Sequence, residues 1–232
     1  MAKIEFKKIK FPNTYIGIRG SRIDLFTKAL KPEESYFDER VIRKYVDNEY
    51  VNLRSWNVQR SKLGSAIAKR ISQLGIKEGS KILYLGASHG FTPSYVSDMI
   101  GETGHVFCLD FAQRVVKDLY LLCQKRKNMS PIMANANAPE DYAELIPKVD
   151  MIFMDISQRA QVDIFLKNFM FLRKGGFGVL ALKARSIDVS KKPKHVFREA
   201  RTELEKHVEI VDYKELDPLE KDHCIFVCKK KK

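Results

Sequence analysis

The stretch KILYLGASHG, residues 81–90, decides how the rest of the chain is read. A short apolar run, Ile82 to Leu85, gives way to Gly86, Ala87, Ser88, His89 and Gly90. Such a run closed by small residues reads as a buried strand that turns tightly into a helix. In open α/β sheets ligands settle at the carboxyl ends of the strands, so this turn is where a cofactor is expected. The two glycines are spaced GxxxG. That is not the GxGxxG of dinucleotide folds, and no GK[ST] follows to make a phosphate loop. The spacing favours a cofactor that needs close backbone approach without an anion cradle, of the S-adenosylmethionine kind. Taken alone, the turn also fits glycines kept for steric reasons.

Outward from this turn, strand-like and helix-like segments alternate. Strands are expected at residues 105–110, 131–135, 149–155 and 177–183, with helices at 92–99, 112–126, 139–146 and 161–173. Upstream, Ser61 is a plausible N-cap, and Leu63, Ile67, Ile71 and Leu74 follow at helical spacing. Downstream, a helix at 194–207 leads to strands at 208–214 and 223–228. The link between those strands, DPLEKD, is too short for a helical crossover, so the last strand should run antiparallel. These features give an α/β fold of the class I S-adenosylmethionine-dependent methyltransferase type. It is Rossmann-like, with a mostly parallel seven-stranded sheet and an antiparallel last strand. Before it, short alternating runs such as Tyr15–Ile18 and Tyr50–Leu53 suggest a small β-rich N-terminal domain. The expected divisions are residues 1–55, 56–228 and a basic tail at 229–232, low in complexity and frayed.

The 232 residues carry a formal charge of +13, an excess that an acidic small molecule does not require and a polyanion rewards. Hydrophobic residues make up 44%, enough for a real core. The four cysteines, Cys108, Cys123, Cys224 and Cys228, form no CxxC pair, so neither a disulfide framework nor a metal site is expected. The N-terminal MAKIEFKKIKF lacks the apolar centre of a signal peptide, and no run is long enough to span a bilayer. A reduced, cytoplasmic, soluble protein is the expectation, with no membrane partner.

Polar residues close several of the expected strands. Asp110 is placed to accept ribose hydroxyls, or to cap the next helix. Asn135 is placed to read an adenine edge, or to make an Asx turn. Asp155 ends a nearly continuous apolar run, where a carboxylate is either functional or well hydrogen-bonded. Lys183 closes another apolar strand.

At this point RSKLGSAI, LYLGASHGFTPSYVSD, DMIFMDISQ, LALKARSID and EKDHCIFV resemble, in order and spacing, the motif series of the fibrillarin family in its archaeal form. The resemblance spans essentially the whole chain. It implies an RNA 2′-O-methyltransferase that contributes to rRNA and tRNA processing inside a guide-RNA particle. There a box C/D guide RNA selects the target rRNA and a Nop-domain scaffold protein holds the enzyme. A kink-turn-binding, ribosomal-protein-like subunit is implied indirectly. The resemblance also implies a catalytic tetrad, mapped here onto Lys62, Asp155, Lys183 and His223. Cofactor contacts are implied at Gly86, Ala87, Ser88, Gly90, Phe91, Thr92, Asp110, Phe111, Asn135, Ala136, Asp155, Ile156, Ser157 and Gln158. Three positions depart from the family's habit: Asp110 stands for glutamate, Asn135 for aspartate, and Phe91 for the first of two threonines.

Methyl transfer to a ribose hydroxyl requires alignment and removal of a proton. A lysine serves as base only where burial or nearby cations lower its pKa. Lys183 is assigned as the base and Asp155 as its orienter, with Lys62 and His223 orienting the ribose. The resemblance leaves open which lysine takes the proton. Lys62 and Arg60 sit at a helix N-terminus, where the dipole disfavours cations by roughly 0.3–1 kcal/mol; that points to a functional role for Lys62, the alternative being a solvated lysine in the first turn. Candidate RNA contacts are Arg54, Arg60, Arg185, Lys191, Lys192 and Lys194. Trp56, the only tryptophan, either stacks on a base or packs between the two domains. Lys125, Arg126 and Lys127 are accounted for as a helix-closing run. Two other readings stay open: a stand-alone tRNA or protein methyltransferase, and an RNA-binding subunit with a vestigial pocket.

Overall fold

The computed structural model of the protein describes residues 4–20 and 22–230. Five strands build an antiparallel N-terminal sheet: β1 (Glu5–Lys8), β2 (Thr14–Arg19), β3 (Arg22–Lys28), β4 (Val41–Val46) and β5 (Glu49–Trp56), in spatial order β1-β2-β3-β5-β4. The remainder runs α1 (Lys62–Ala68), β6 (Lys81–Leu85), α2 (Phe91–Ile100), β7 (His105–Asp110), α3 (Gln113–Lys125), β8 (Met129–Met133), β9 (Val149–Met154), α4 (Gln161–Lys167), β10 (Leu172–Lys183), α5 (Ala184–Ile187), α6 (Pro193–His207), β11 (Val208–Glu215) and β12 (His223–Lys230). These seven strands form one sheet in the order β11-β12-β10-β9-β6-β7-β8. Strands β10, β9, β6, β7 and β8 are parallel, and β12 lies antiparallel between β10 and β11. The α/β expectation, its antiparallel last strand and the β-rich N-terminal part are all borne out.

Helices cover both faces, so the central strands are apolar on both sides. Ile82 and Tyr84 of β6 face the core made with α1, α2 and α3, where Phe11, Leu25 and Trp56 of the N-terminal part also pack. Leu83 and Leu85 face the opposite core, made with α4 and α6. Full burial of such side chains contributes roughly 1.5–3 kcal/mol each. Cys224 and Cys228 alternate into that second core beside Phe226, and all four cysteines are buried free thiols.

Several boundaries move. Helix α1 stops at Ala68, and Arg70 turns with φ +58°, so Ile71 and Leu74 reach the core from outside a helix. The stretch 161–173 is not one helix. Asn168 donates its amide to the Ile164 carbonyl, which competes with the backbone ladder, and the chain tightens into a 3₁₀ turn before β10 begins at Leu172. The segment 139–146 is a 3₁₀ turn kinked at Tyr142. Strand β8 starts and ends two residues early, because the Asn135 carboxamide oxygen accepts from Asn137 N at 3.0 Å and bends the chain. The expected frayed tail is corrected too: Lys229 pairs with Phe177 and Lys230 with Val208 inside β12, while residues 231 and 232 lie outside the described residues.

A buried ionic cluster ties the N-terminal sheet to α2 and α3. Asp98 accepts from Arg54 Nη1 at 2.9 Å, Arg126 Nη1 at 2.8 Å and Thr27 Oγ1 at 2.9 Å. Arg54 also donates to Glu39 at 2.8 Å and to Ser94 at 2.9 Å. No described helix is long and apolar enough to cross a membrane.

Candidate active site

The chain leaves β6 for β7 and β8 on one side, then returns to β9 and β10 on the other. The crevice between β6 and β9 is therefore the switch point where α/β sheets bind ligands. The turn after β6 is built for close approach. Gly86 has φ +84°, and a Cβ there would lie 2.1 Å from the Asp155 carbonyl oxygen. Gly90 has φ +87°, and a Cβ there would meet Leu122 at 2.4 Å. Only glycine fits either place.

Beside this turn lies a cleft of about 620 Å³, walled by Lys62, Gly86, Ala87, Ser88, Phe91, Thr92 and Asp155, and on the far side by Tyr36, Phe37, Arg60, Leu121, Leu122 and Lys125. Ser61 joins the start of α1 to the turn. Its hydroxyl caps Gly64 N at 3.1 Å and accepts from Thr92 Oγ1 at 3.0 Å. Lys62, first residue of α1, is thereby aimed at the end of β9.

There Lys62 Nζ meets Asp155 Oδ2 at 3.1 Å, with the side chains 26% and 20% exposed. Burial pulls the pKa of the Lys62 amine down, but the charge and hydrogen bond of Asp155 outweigh it, and the net direction is up. The pair offsets the dipole penalty expected at this helix start. It also corrects one assignment. Asp155 was expected to orient Lys183, and it holds Lys62 instead; among the described residues no ion pair joins Lys183 to Asp155.

Lys183 and His223 face each other as partners across the β10–β12 ladder. His223 is 8% exposed, and its Nδ1 lies 2.6 Å from the Lys221 carbonyl. A carbonyl only accepts, so Nδ1 carries the proton and Nε2 keeps its lone pair in the neutral ring. Burial holds the imidazole pKa below its usual value, the Lys221 contact raises it, and the Lys62 charge lowers it further. Lys183 has no acidic partner among the described residues. Its backbone is clamped by Gln161, which accepts from Lys183 N at 3.0 Å and donates to Lys183 O at 3.2 Å and Gln158 O at 2.9 Å. Gln161 is fully buried, and sequence reasoning passed it over as a helix-starting residue.

The remaining cofactor candidates line the ends of β7, β8 and β9 outside the cleft. Asp110 Oδ2 accepts from Ser88 N at 2.8 Å and Oδ1 from Ala112 N at 3.0 Å, so it braces the glycine turn and makes a local turn of its own. Each oxygen retains a lone pair for a ligand hydroxyl. Asn135 makes the Asx turn noted above and stays exposed, and Phe111, just after β7, is 67% exposed. Ala136 is buried, Ile156 packs on Gly86, and Ser157 and Gln158 follow on the loop.

Of the RNA candidates, Arg54 is ruled out. It is 1% exposed and saturated by Asp98, Glu39 and Ser94, because the charge that looked like a phosphate ligand closes the inter-sheet cluster. Trp56 packs rather than reads: it is buried and stacked on Tyr95 with centroids 4.6 Å apart. Arg126 is likewise buried, not solvated. Arg60 is exposed at the cleft. Arg185, Lys191, Lys192 and Lys194 are exposed just past Lys183. Of these, Arg185 is held by Asp222 at 3.1 Å and Lys191 by Glu199 at 2.8 Å. Exposed pairs of this kind contribute about 0–1 kcal/mol and exchange readily for phosphates. Tyr36 and Phe37 reach the cleft from the loop between β3 and β4, which no local sequence signal announced. Among the described residues no group of His, Cys, Asp or Glu is arranged to hold a metal ion.

Comparison with known proteins agrees with this geometry. The chain is 44% identical over 229 residues to a fibrillarin-like rRNA/tRNA 2′-O-methyltransferase of Pyrococcus abyssi, covering 98% of this chain and 99% of that one. It superposes on Aeropyrum pernix fibrillarin, solved with natively bound S-adenosyl-L-methionine, with TM-score 0.86 and 35% identity over 98% of this chain and 100% of that one. It also superposes on a fibrillarin/Nop5p complex with TM-score 0.79 and 30% identity, over 90% of this chain and 94% of that one. The Fibrillarin family model matches residues 6–232, and the chain belongs to that family.

Proposed function

We propose that this protein is the catalytic subunit of a box C/D guide-RNA particle and methylates the 2′-hydroxyl of ribose in rRNA and tRNA with S-adenosylmethionine. The observation that carries this reading is the convergence of Lys62, Asp155, Lys183 and His223 at three neighbouring strand ends and one helix start, beside a glycine turn that admits no Cβ. The naming of the curated relative as an rRNA/tRNA 2′-O-methyltransferase and the cofactor of the Aeropyrum structure support the substrate and the donor. The Nop5p complex supports a Nop-domain scaffold as partner. Guide RNA and a kink-turn-binding subunit complete the particle in this reading.

When bound, S-adenosylmethionine supplies a methyl group already activated on a sulfonium. The chain's own work is to present the ribose oxygen without its proton. Lys183 is the base, since it is the amine of the two that no carboxylate engages. Lys62 and Asp155 act as a fixed pair at the floor of the site, and Asp155 is the acceptor that steers the hydroxyl. His223, neutral and with Nε2 free, accepts from a ribose hydroxyl and fixes the sugar's orientation. Gln161 holds Lys183 against the loop 155–158. Arg185, Lys191, Lys192 and Lys194 then flank the base and receive backbone phosphates.

No RNA-reading module is present in the sequence, so target choice falls to the guide. The test is reconstitution. Scaffold, guide RNA and this protein together are expected to methylate the guided nucleotide, whereas the isolated chain does not. Activity of the isolated chain on unguided tRNA or protein would favour the stand-alone reading instead.

A further inference from the structure

The sheet order gives the cofactor a direction. The expected adenine and ribose contacts, Asn135 and Asp110, stand at the ends of β8 and β7. An elongated ligand lying there and crossing the glycine turn after β6 carries its amino-acid end into the walled cleft. The cleft's lining agrees, because it contains the glycine turn, Lys62 and Asp155 but neither Asp110 nor Asn135. Its far wall has no role in the site described above.

That wall is rich in positive charge and aromatic rings. The Arg60 guanidinium lies over the Phe91 ring, 4.4 Å from the centroid. Phe91 is wedged edge-on between Phe37 at 5.3 Å and Tyr95 at 5.2 Å, so its face is held still. Lys125 lies 5.6 Å from the Tyr36 ring. Behind the same ring, at 5.2 Å, sits Arg126, which is 2% exposed and has Nε and Nη2 without a hydrogen-bond partner. Of the two acids in the lining, Asp155 is held by Lys62 and Asp118 lies 3.6 Å from His89. Arg60 and Lys125 have no acidic partner among the described residues.

We propose that Arg60, seated on Phe91, is the residue that receives the carboxylate of the cofactor's methionine end. The carboxylate is the only anionic group that S-adenosylmethionine possesses. A guanidinium held by its charge over a ring spends none of its N–H donors on that contact, which leaves them for a two-point contact with a carboxylate. Phe91, which stands where the family usually has a hydroxyl, thus serves the site as a platform for Arg60.

The inference rests on the assignment of S-adenosylmethionine as cofactor, and calorimetry with two ligands separates the two claims. S-adenosylhomocysteine carries the amino-acid end; 5′-methylthioadenosine lacks it. With Arg60→Ala, affinity for S-adenosylhomocysteine is expected to fall about 10- to 100-fold, the loss of a charge-assisted contact. Affinity for 5′-methylthioadenosine is expected to stay within about twofold. Arg60→Lys should recover part of the loss, and Phe91→Leu should show a smaller deficit confined to S-adenosylhomocysteine. An equal loss for both ligands, or none for either, overturns the role of Arg60. Unchanged binding of both ligands with weakened RNA capture by the assembled particle also overturns it, and assigns Arg60 to phosphate. Wild-type protein that binds neither ligand overturns the cofactor assignment itself.

Discussion

Two lysines with the same intrinsic chemistry stand in this site, and their neighbours separate them. Lys62 is neutralised by Asp155 at 3.1 Å and kept protonated. Lys183 has only its backbone tied down, by Gln161. Replacing Lys183 by Ala should lower guided methylation by about 10²- to 10⁴-fold, the usual worth of a positioned base. Calorimetry should show cofactor affinity nearly unchanged. His223 gives a pH signature. Its folded pKa lies below the unfolded value of about 6.5, so protons bind the unfolded chain preferentially as the pH falls. The stability this provides is present above that unfolded value and is lost as the pH drops through the folded one. Melting temperatures of the wild type should therefore decline as the pH falls below about 6.5 more steeply than those of His223→Gln.

At the scale of elements, the turn after β6 and the start of β10 position everything else. Gly86→Ala would drive a Cβ into the Asp155 carbonyl while holding φ at +84°. Strain of this kind costs about 1–3 kcal/mol, so the variant should melt earlier and bind cofactor poorly in the same calorimetric titration. Gln161→Leu removes the partners of half-buried backbone groups of Lys183 and Gln158, at up to about 1–3 kcal/mol each. Turnover should fall more than cofactor affinity, because the displaced residue is the proposed base. These elements were unequally legible. Strand β7 is read at its true ends because its apolar run stops at Asp110. Residues 161–173 were misread because a single amide, Asn168, turns back on the Ile164 carbonyl, a contact that periodicity does not encode. Asp155 and Lys183 stood out as polar residues closing apolar runs, whereas Lys62 and His223 were named through the family resemblance. Gln161 was missed because it looks like an ordinary helix start.

The whole molecule explains the largest misreading. Arg54 looked like an RNA ligand because charge is visible in sequence, whereas its partner Asp98, 44 residues away, is not. In the fold it locks the N-terminal sheet to α2, and with it the loop that brings Tyr36 and Phe37 over the cleft. Arg54→Ala should cost about 3–5 kcal/mol in denaturant unfolding, the penalty for removing one partner from buried ion pairs with Asp98 and Glu39. The exposed strip behaves oppositely: combined Lys192→Ala and Lys194→Ala should leave the unfolding midpoint unchanged. It should weaken RNA-dependent methylation and flatten its salt dependence, as expected when phosphate contacts are removed from a chain of net charge +13.

The central claim is that these side chains deliver a methyl group to a ribose 2′-oxygen chosen by a guide. The reconstituted particle, given methyl-labelled S-adenosylmethionine, tests it with two target RNAs that differ only by a 2′-deoxy sugar at the guided nucleotide. The account predicts label on the ribose target, none on the deoxy target, and none on either with Lys183→Ala. Label on the deoxy target, or none on the ribose target in a fully assembled particle, would contradict it.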